Sequence, residues 1–190
     1  VYEDYTHYFC PVKPWGRQAA ALFSKMILEK TDRVIVPTKK VNDLLLGYGV
    51  EKPIDVIPTG IRTDRFLPDS WQQVREERQR IRARFGIRED QTLLLSLGRL
   101  AREKNLEEII TAFGETDRED MALLIVGDGP CRQELEALAR RQPGGERIHF
   151  AGMVPAEETP AWYHAGDLFV CASRSETQGI TYLEALSSGL

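Results

Sequence analysis

Cysteine is scarce and scattered in this sequence. Its three cysteines, Cys10, Cys131 and Cys171, are far apart, odd in number, and form no C-x-x-C pair. That excludes a disulfide framework and a zinc ribbon, and fits a reduced, intracellular compartment. Histidine is as sparse. His7, His149 and His164 have no metal-ligand spacing, and each is expected to be an ordinary surface or strand-end histidine. No apolar run nears the roughly 18 residues that a membrane span needs, and no signal peptide is expected. Positive charge is not in excess. The formal net charge is −4, which excludes a basic field over the whole protein for nucleic acid. The arginines alternate with acids, as in REERQRIRARFGIRED, and such a mixed run is expected to be a solvated helix face.

Familiar cofactor and hydrolase signatures are missing too. GDGPCR follows an apolar run and supplies G-x-G, but the third glycine is absent and no acid ends the next strand, which reads HFAG. The dinucleotide fingerprint therefore fails twice. There is no Walker A sequence and no G-x-S-x-G elbow, so neither a P-loop nor a serine hydrolase is expected. The 190 residues allow one full domain and part of a second. The sequence begins with Val1 and stops at SSGL, which reads as a helix end; we expect a fragment of a longer protein.

What is present is alternation. TLLLSLG is a short apolar run, followed by NLEEIITAF, where Leu106, Ile109, Ile110 and Phe113 make one apolar stripe of helical period. Asn105 and Glu108 read as a capping box. ALLIVG is a second strand, after which Pro130 is expected to open a helix carrying Leu135 and Leu138. RIHFAG is a third strand, EETPAWYHAG a short helix, DLFVCAS a fourth strand, and GITYLEALSSG a helix ending near Gly189. Near-continuous apolar strands alternating with helices predict an α/β fold, a Rossmann-like doubly wound parallel sheet covered on both faces.

The first sixty residues read as the tail of a preceding domain. Residues 2–29 are expected to be helical, interrupted near Pro11 and Pro14. DRVIVPT and PIDVIPTG are strands, and KKVNDLLLGYGV between them is a helix closed by Gly47 or Gly49. This makes a last β-α-β unit over residues 1–60, a linker at 61–70, and a second domain over 71–190. Ser70 and Gln73 cap the helix that follows, whose apolar positions are Trp71, Val74, Ile81 and Phe85.

In open parallel sheets, ligands bind past the carboxyl ends of the strands. Those ends are Gly98-Arg99 with Lys104, then Gly127-Asp128-Gly129, then Gly152-Met153-Val154, then Ser173 to Glu176. A diphosphate needs cations, which Arg99 and Lys104 offer, and backbone N–H groups at a helix start. Gly179, Ile180 and Thr181 offer the latter. Glu184 leans back toward the start of its helix, where it can accept from the two hydroxyls of a ribose. Glu176 lies before the helix, on the sugar side of the phosphates. On spacing alone a second reading stands beside this one: both glutamates are exposed, and Glu176 merely complements the helix dipole.

Four motifs in order then point to a family. Gly98-Arg99 with Lys104, Val126 to Pro130 (VGDGP), Phe150-x-Gly152-x-Val154, and Glu176 with Glu184-Ala185 resemble the donor domain of retaining glycosyltransferases of the GT-B fold, group 1 or family four. The resemblance runs from about Leu93 to the end, and Pro58 to Gly60 fits the crossing between domains. It implies that Arg99 and Lys104 bind a donor diphosphate and that Val154 meets the base through its backbone. Glu184 would hold the ribose, the backbone at Gly179, Ile180 and Thr181 would meet phosphate, and Glu176 would contact the transferred sugar. It implies retention at the anomeric carbon, no cofactor, no metal, and a nucleotide-diphosphate sugar as donor.

YEDYTHYF, VIVPTKKVNDLLLGYGV and VIPTGI resemble more narrowly the diacylglycerol α-glucosyltransferases. This implies glucose, UDP and a membrane-lipid acceptor, with a saccharide acceptor as the alternative, and a cytoplasmic protein with peripheral contact at the inner membrane face. KPWGRQAAALFSKMILEK mixes basic and large apolar residues; a helix packed in its own domain and one lying at a membrane surface are both open. An active-site histidine is expected upstream of Val1, and a last strand-helix pair after Leu190, so this chain alone is expected to give no turnover. A GT-B-fold epimerase and a non-catalytic nucleotide-binding domain are the alternatives.

Overall fold

The computed structural model describes residues 13–116 and 118–190. His7, Cys10, Pro11 and the YEDYTHYF segment lie outside them. The chain divides into two compact units. One runs to Gly60 and takes in Ser175–Gly179; the other is Ile61–Arg174 with Ile180–Leu190.

In the first unit, α1 spans Lys13–Leu28, β1 Val34–Val36, α2 Lys39–Gly47 and β2 Ile54–Val56. Strands β1 and β2 are parallel, Val34 opposite Ile54 and Val36 opposite Val56. Thr38 caps α2 by accepting the Val41 N–H. Gly49, at φ +78°, ends it, with the Val50 N–H returning to the Leu45 carbonyl. Val34, Val36, Leu45 and Val50 form a small core. The predicted β-α-β unit is thus present. Pro14 lies in the first described turn of α1, and the expected interruption near Pro11 falls outside the described residues.

In the second unit, α3 spans Trp71–Arg84, β3 Thr92–Leu97, α4 Leu106–Glu115, β4 Met121–Val126 and α5 Arg132–Ala139. β5 spans Ile148–Gly152, α6 Thr159–Ala165, β6 Leu168–Phe169 and α7 Ile180–Ser187. Its four strands are parallel, in the order β5-β4-β3-β6. Strand periodicity sorts side chains to two faces. Leu93, Leu95, Ala122, Leu124 and Val126 join Ile81, Trp162, Tyr163 and Ala185 from α3, α6 and α7. Leu123, Ile125 and Ile148 join Leu106, Ile110, Phe113, Leu135 and Ala139 from α4 and α5. Helices on both faces make the predicted doubly wound sheet. Each fully buried leucine contributes about 1.5–3 kcal/mol. Residues 61–70 cluster with this unit, and a 3-10 turn at Thr63–Phe66 places Phe66 in its core.

Several local expectations are corrected. Ser70 does accept the Gln73 N–H, but Trp71, expected on the apolar face, is exposed. In the mixed-charge run Arg82 is buried and Arg78 half-buried rather than solvated. Arg82 is 1% exposed, and both arginines reach the carbonyl end of α6 and Asp167. Asn105 adopts a left-handed conformation and its side chain donates to Glu108, so no capping box forms. α5 starts at Arg132, two residues after Pro130, because Gly129 to Cys131 are bound into the loop. The fourth strand stops at Phe169, where its pairing with β3 ends. His149 falls at the start of β5, a strand-end histidine as expected, and is half-buried; His164 is half-buried in α6 instead, its Nε2 3.1 Å from the Phe66 carbonyl oxygen.

Candidate functional site at the carboxyl ends of the sheet

The connection from β3 leads outward through β4 to β5, and β6 returns to the other side of β3. The order therefore reverses between β3 and β6. At such a reversal the loops diverge and leave a crevice past the strand ends.

Backbone packing fixes the loops that line it. Gly98 N–H donates to Val126 O at 2.9 Å, Gly127 N–H to Gly152 O at 2.8 Å, and Leu100 N–H to Asp128 O at 3.0 Å. This web requires close approach. A Cβ on Gly127, at φ +130°, would lie 1.9 Å from Gly98 O. The VGDGP run is thus explained by the contact it makes with the Gly98-Arg99 loop. Asp128 is committed to the same task. It accepts the Gly129 N–H at 2.7 Å and Arg132 at 2.9 Å, and these two donors hold its carboxyl below the usual carboxylate range.

Two cavities open here. A small one, of about 20 Å³, is lined by Gly98, Arg99, Lys104, Cys171 and Thr181 among others. An open cleft of about 590 Å³ is lined by Gly98, Arg99, Gly127 to Pro130, Met153, Val154 and Thr159. The cleft falls in the size range of small-molecule sites. Arg99 borders both. The structure therefore brings Gly98, Arg99, Lys104 and Thr181 together, and Gly98 and Arg99 with Val154.

Glu184 lines neither cavity. It is the fifth residue of α7, half-buried, and its Oε2 accepts from the Tyr163 hydroxyl at 2.8 Å. That hydroxyl is also 3.4 Å from the Thr181 carbonyl oxygen, so the carboxylate leans toward the helix start as predicted. Ile180 is exposed at the first position of α7. Glu176 and Gly179 cluster with the first unit. There Lys40 Nζ donates to the Glu176 carbonyl and Thr38 Oγ1 to the Thr177 carbonyl, each at 3.0 Å. Gln178 pairs with the Thr59 backbone, accepting at 2.8 Å and donating at 2.6 Å.

Sequence reasoning missed Tyr163 and Cys171. A hydroxyl on an otherwise apolar core position was the available sign of Tyr163. Cys171 was assigned to a strand that ends two residues earlier, which hid its place in the crevice.

Residues 77–190 match the family Glycosyl transferases group 1. The chain belongs to that family. Residues 2–65 of this group 1 chain also match Glycosyltransferase Family 4. It is 37% identical over 190 residues to the alpha-monoglucosyldiacylglycerol synthase of Streptococcus pneumoniae, covering 99% of this chain and 43% of that protein. It is 31% identical over 198 residues to the synthase of the same name from Acholeplasma laidlawii, covering 100% of this chain and 49% of the relative. The chain spans less than half the length of these two relatives. The solved structure of Anabaena Alr3699/HepE superposes with a TM-score of 0.78 at 18% identity, over 90% of this chain and 46% of that one, which shows the shared GT-B fold. The epimerase alternative gains no support from these matches.

Proposed function

We propose that the whole protein moves a sugar from a nucleotide-diphosphate sugar to a membrane lipid, with retention of anomeric configuration and without a cofactor. The observation that carries this reading is the meeting of Arg99, Lys104 and Thr181 in one crevice at the strand-order reversal. Two cations and a helix start suit a diphosphate, whose negative charge grows as it leaves. In this reading Gly98, Arg99 and Lys104, with the backbone at Gly179, Ile180 and Thr181, hold the diphosphate. Val154 meets the base across the larger cleft, Glu184 takes the ribose, and Glu176 contacts the sugar. Glucose and diacylglycerol follow the names of the two synthases. UDP follows the sequence resemblance.

Peripheral membrane contact at the cytoplasmic face belongs to the same proposal. Trp15, Leu22, Phe23 and Met26 are exposed on α1 beside Arg17 and Lys25, a composition suited to an anionic interface. No helix among the described residues is long and apolar enough to cross a membrane.

The test is a thermal-shift screen of nucleotide sugars on the full-length protein, followed by transfer assays on diacylglycerol vesicles. A ligand at a hundredfold excess over Kd stabilises by ~2.7 kcal/mol. Stabilisation by UDP-glucose and formation of an α-glucosyl lipid are expected. A protein that no nucleotide sugar stabilises would sink the donor-site reading.

A further inference from the structure

Tyr163 has no part in the roles assigned above, yet its surroundings are specific. It is fully buried on α6. Phe66 meets its ring edge-on at 5.9 Å and 71°, and Phe169 tilts against it at 5.9 Å. Phenylalanine would fill this aromatic slot. The hydroxyl is an addition that a core admits only with a partner.

That partner is the carboxylate assigned to the ribose. The phenol carries one proton and has two acceptors in reach, Glu184 Oε2 at 2.8 Å and Thr181 O at 3.4 Å. The shorter, charge-assisted contact takes it. Burial first, then the hydrogen bond and charge of Glu184, raise the phenol well above its ordinary range. Tyr163 therefore stays protonated and donates its proton toward Glu184. One carboxylate oxygen is anchored to a rigid aromatic wall, and the other keeps its acceptor capacity. A glutamate in solution is free about three torsions; here the ring of Tyr163 sets where the carboxylate stands.

We propose that Tyr163 is a positioning residue that fixes Glu184 for a ribose diol, so that the site prefers ribonucleoside over 2′-deoxyribonucleoside diphosphates. The inference rests on the nucleotide-sugar reading and deepens it. Tyr163 touches no ligand; its effect passes through one hydrogen bond.

The test is calorimetric titration of the full-length protein with UDP, GDP and the 2′-deoxy form of each. For the nucleotide that binds, Glu184→Ala is expected to remove the ribo-over-deoxyribo preference. Tyr163→Phe is expected to weaken the ribonucleotide about tenfold and the deoxyribonucleotide less than twofold. The double variant should be no worse than Glu184→Ala alone. Equal weakening of both nucleotides in Tyr163→Phe, or an unchanged preference, overturns the inference while leaving the donor site standing. Failure of every nucleotide to bind the unsubstituted protein defeats both.

A fluorine probe covers the case in which Tyr163→Phe does not fold. 3-Fluorotyrosine placed at position 163 keeps the ring and the hydroxyl. Its resonance is expected to move on adding the ribonucleotide and to stay nearly still with the 2′-deoxy form. The same response to both would count against the proposal.

Discussion

Arg82 and Asp167 are paired inside the second unit, Nη1 to Oδ2 at 3.2 Å, with Arg82 1% exposed. The same carboxylate oxygen accepts the Leu93 N–H at 2.7 Å, and Arg78 holds the other oxygen at 2.6 Å. Arg78 also caps the carbonyls of Ala165 and Gly166 at 3.0 and 2.9 Å, where the helix dipole favours a cation. Burial alone would raise the Asp167 carboxyl, but the Leu93 N–H and the two guanidinium groups outweigh it and lower its pKa. The stabilisation is therefore full above the ordinary carboxylate range, near pH 3.9, and is lost as pH falls through the depressed value. Asp167→Asn should cost about 3 kcal/mol in urea unfolding at pH 7, because it leaves the buried Arg82 charge with carbonyl partners but no opposite charge. A loss below about 0.5 kcal/mol would mean the pair contributes little.

Gly127 and Gly98 should respond differently to alanine. The Cβ on Gly127 would enter the Gly98 carbonyl at 1.9 Å, whereas nothing lies within 4 Å of one on Gly98. Both have positive φ, +130° and +153°. Gly127→Ala is expected to destabilise by about 3 kcal/mol and Gly98→Ala by about 1 kcal/mol, the latter from backbone strain alone. Thermal melts of the two variants side by side check the ranking.

Arg99→Ala should separate binding from folding. The side chain is exposed and borders both cavities. In the full-length protein kcat/KM for the donor is expected to fall about a hundredfold, with unfolding free energy within about 0.5 kcal/mol of the parent. Steady-state kinetics and denaturant melts on one preparation read both. Unchanged kinetics would remove Arg99 from the site.

Two histidines predict a second pH dependence. Burial lowers the pKa of His149, and burial lowers that of His164 against weaker opposing pulls from the Phe66 carbonyl and Glu77. The unfolded chain then takes up protons first as pH drops below about 6.5. Stability should hold at pH 7.5 and decline toward pH 5.5. Replacing both with glutamine should flatten that slope in urea midpoints measured across the range. A slope that survives the double change must come from other groups.

The alternation of strand and helix was legible because apolar runs such as ALLIVG leave few other folds open, and helix ends at Gly49 and Gly189 carried their own turn chemistry. The motif residues Gly98, Arg99, Lys104 and Val154 were legible because they follow strand ends, which periodicity locates. Arg82 and Tyr163 were not. Their types say surface and core, and only their neighbours reverse or qualify that. A charged run has the same sequence whether it faces water or packs against the end of another helix, and a tyrosine has the same period as a phenylalanine.

The amino-acid order alone determined a doubly wound parallel sheet and the set of small and cationic residues past its strands, since both follow from local pattern. Tertiary structure alone decided that Thr181 shares a crevice with Arg99 and Lys104, that Gly127 must touch Gly98, and that Tyr163 anchors Glu184. These are meetings between segments distant along the chain, set by strand order and packing, which no local pattern encodes.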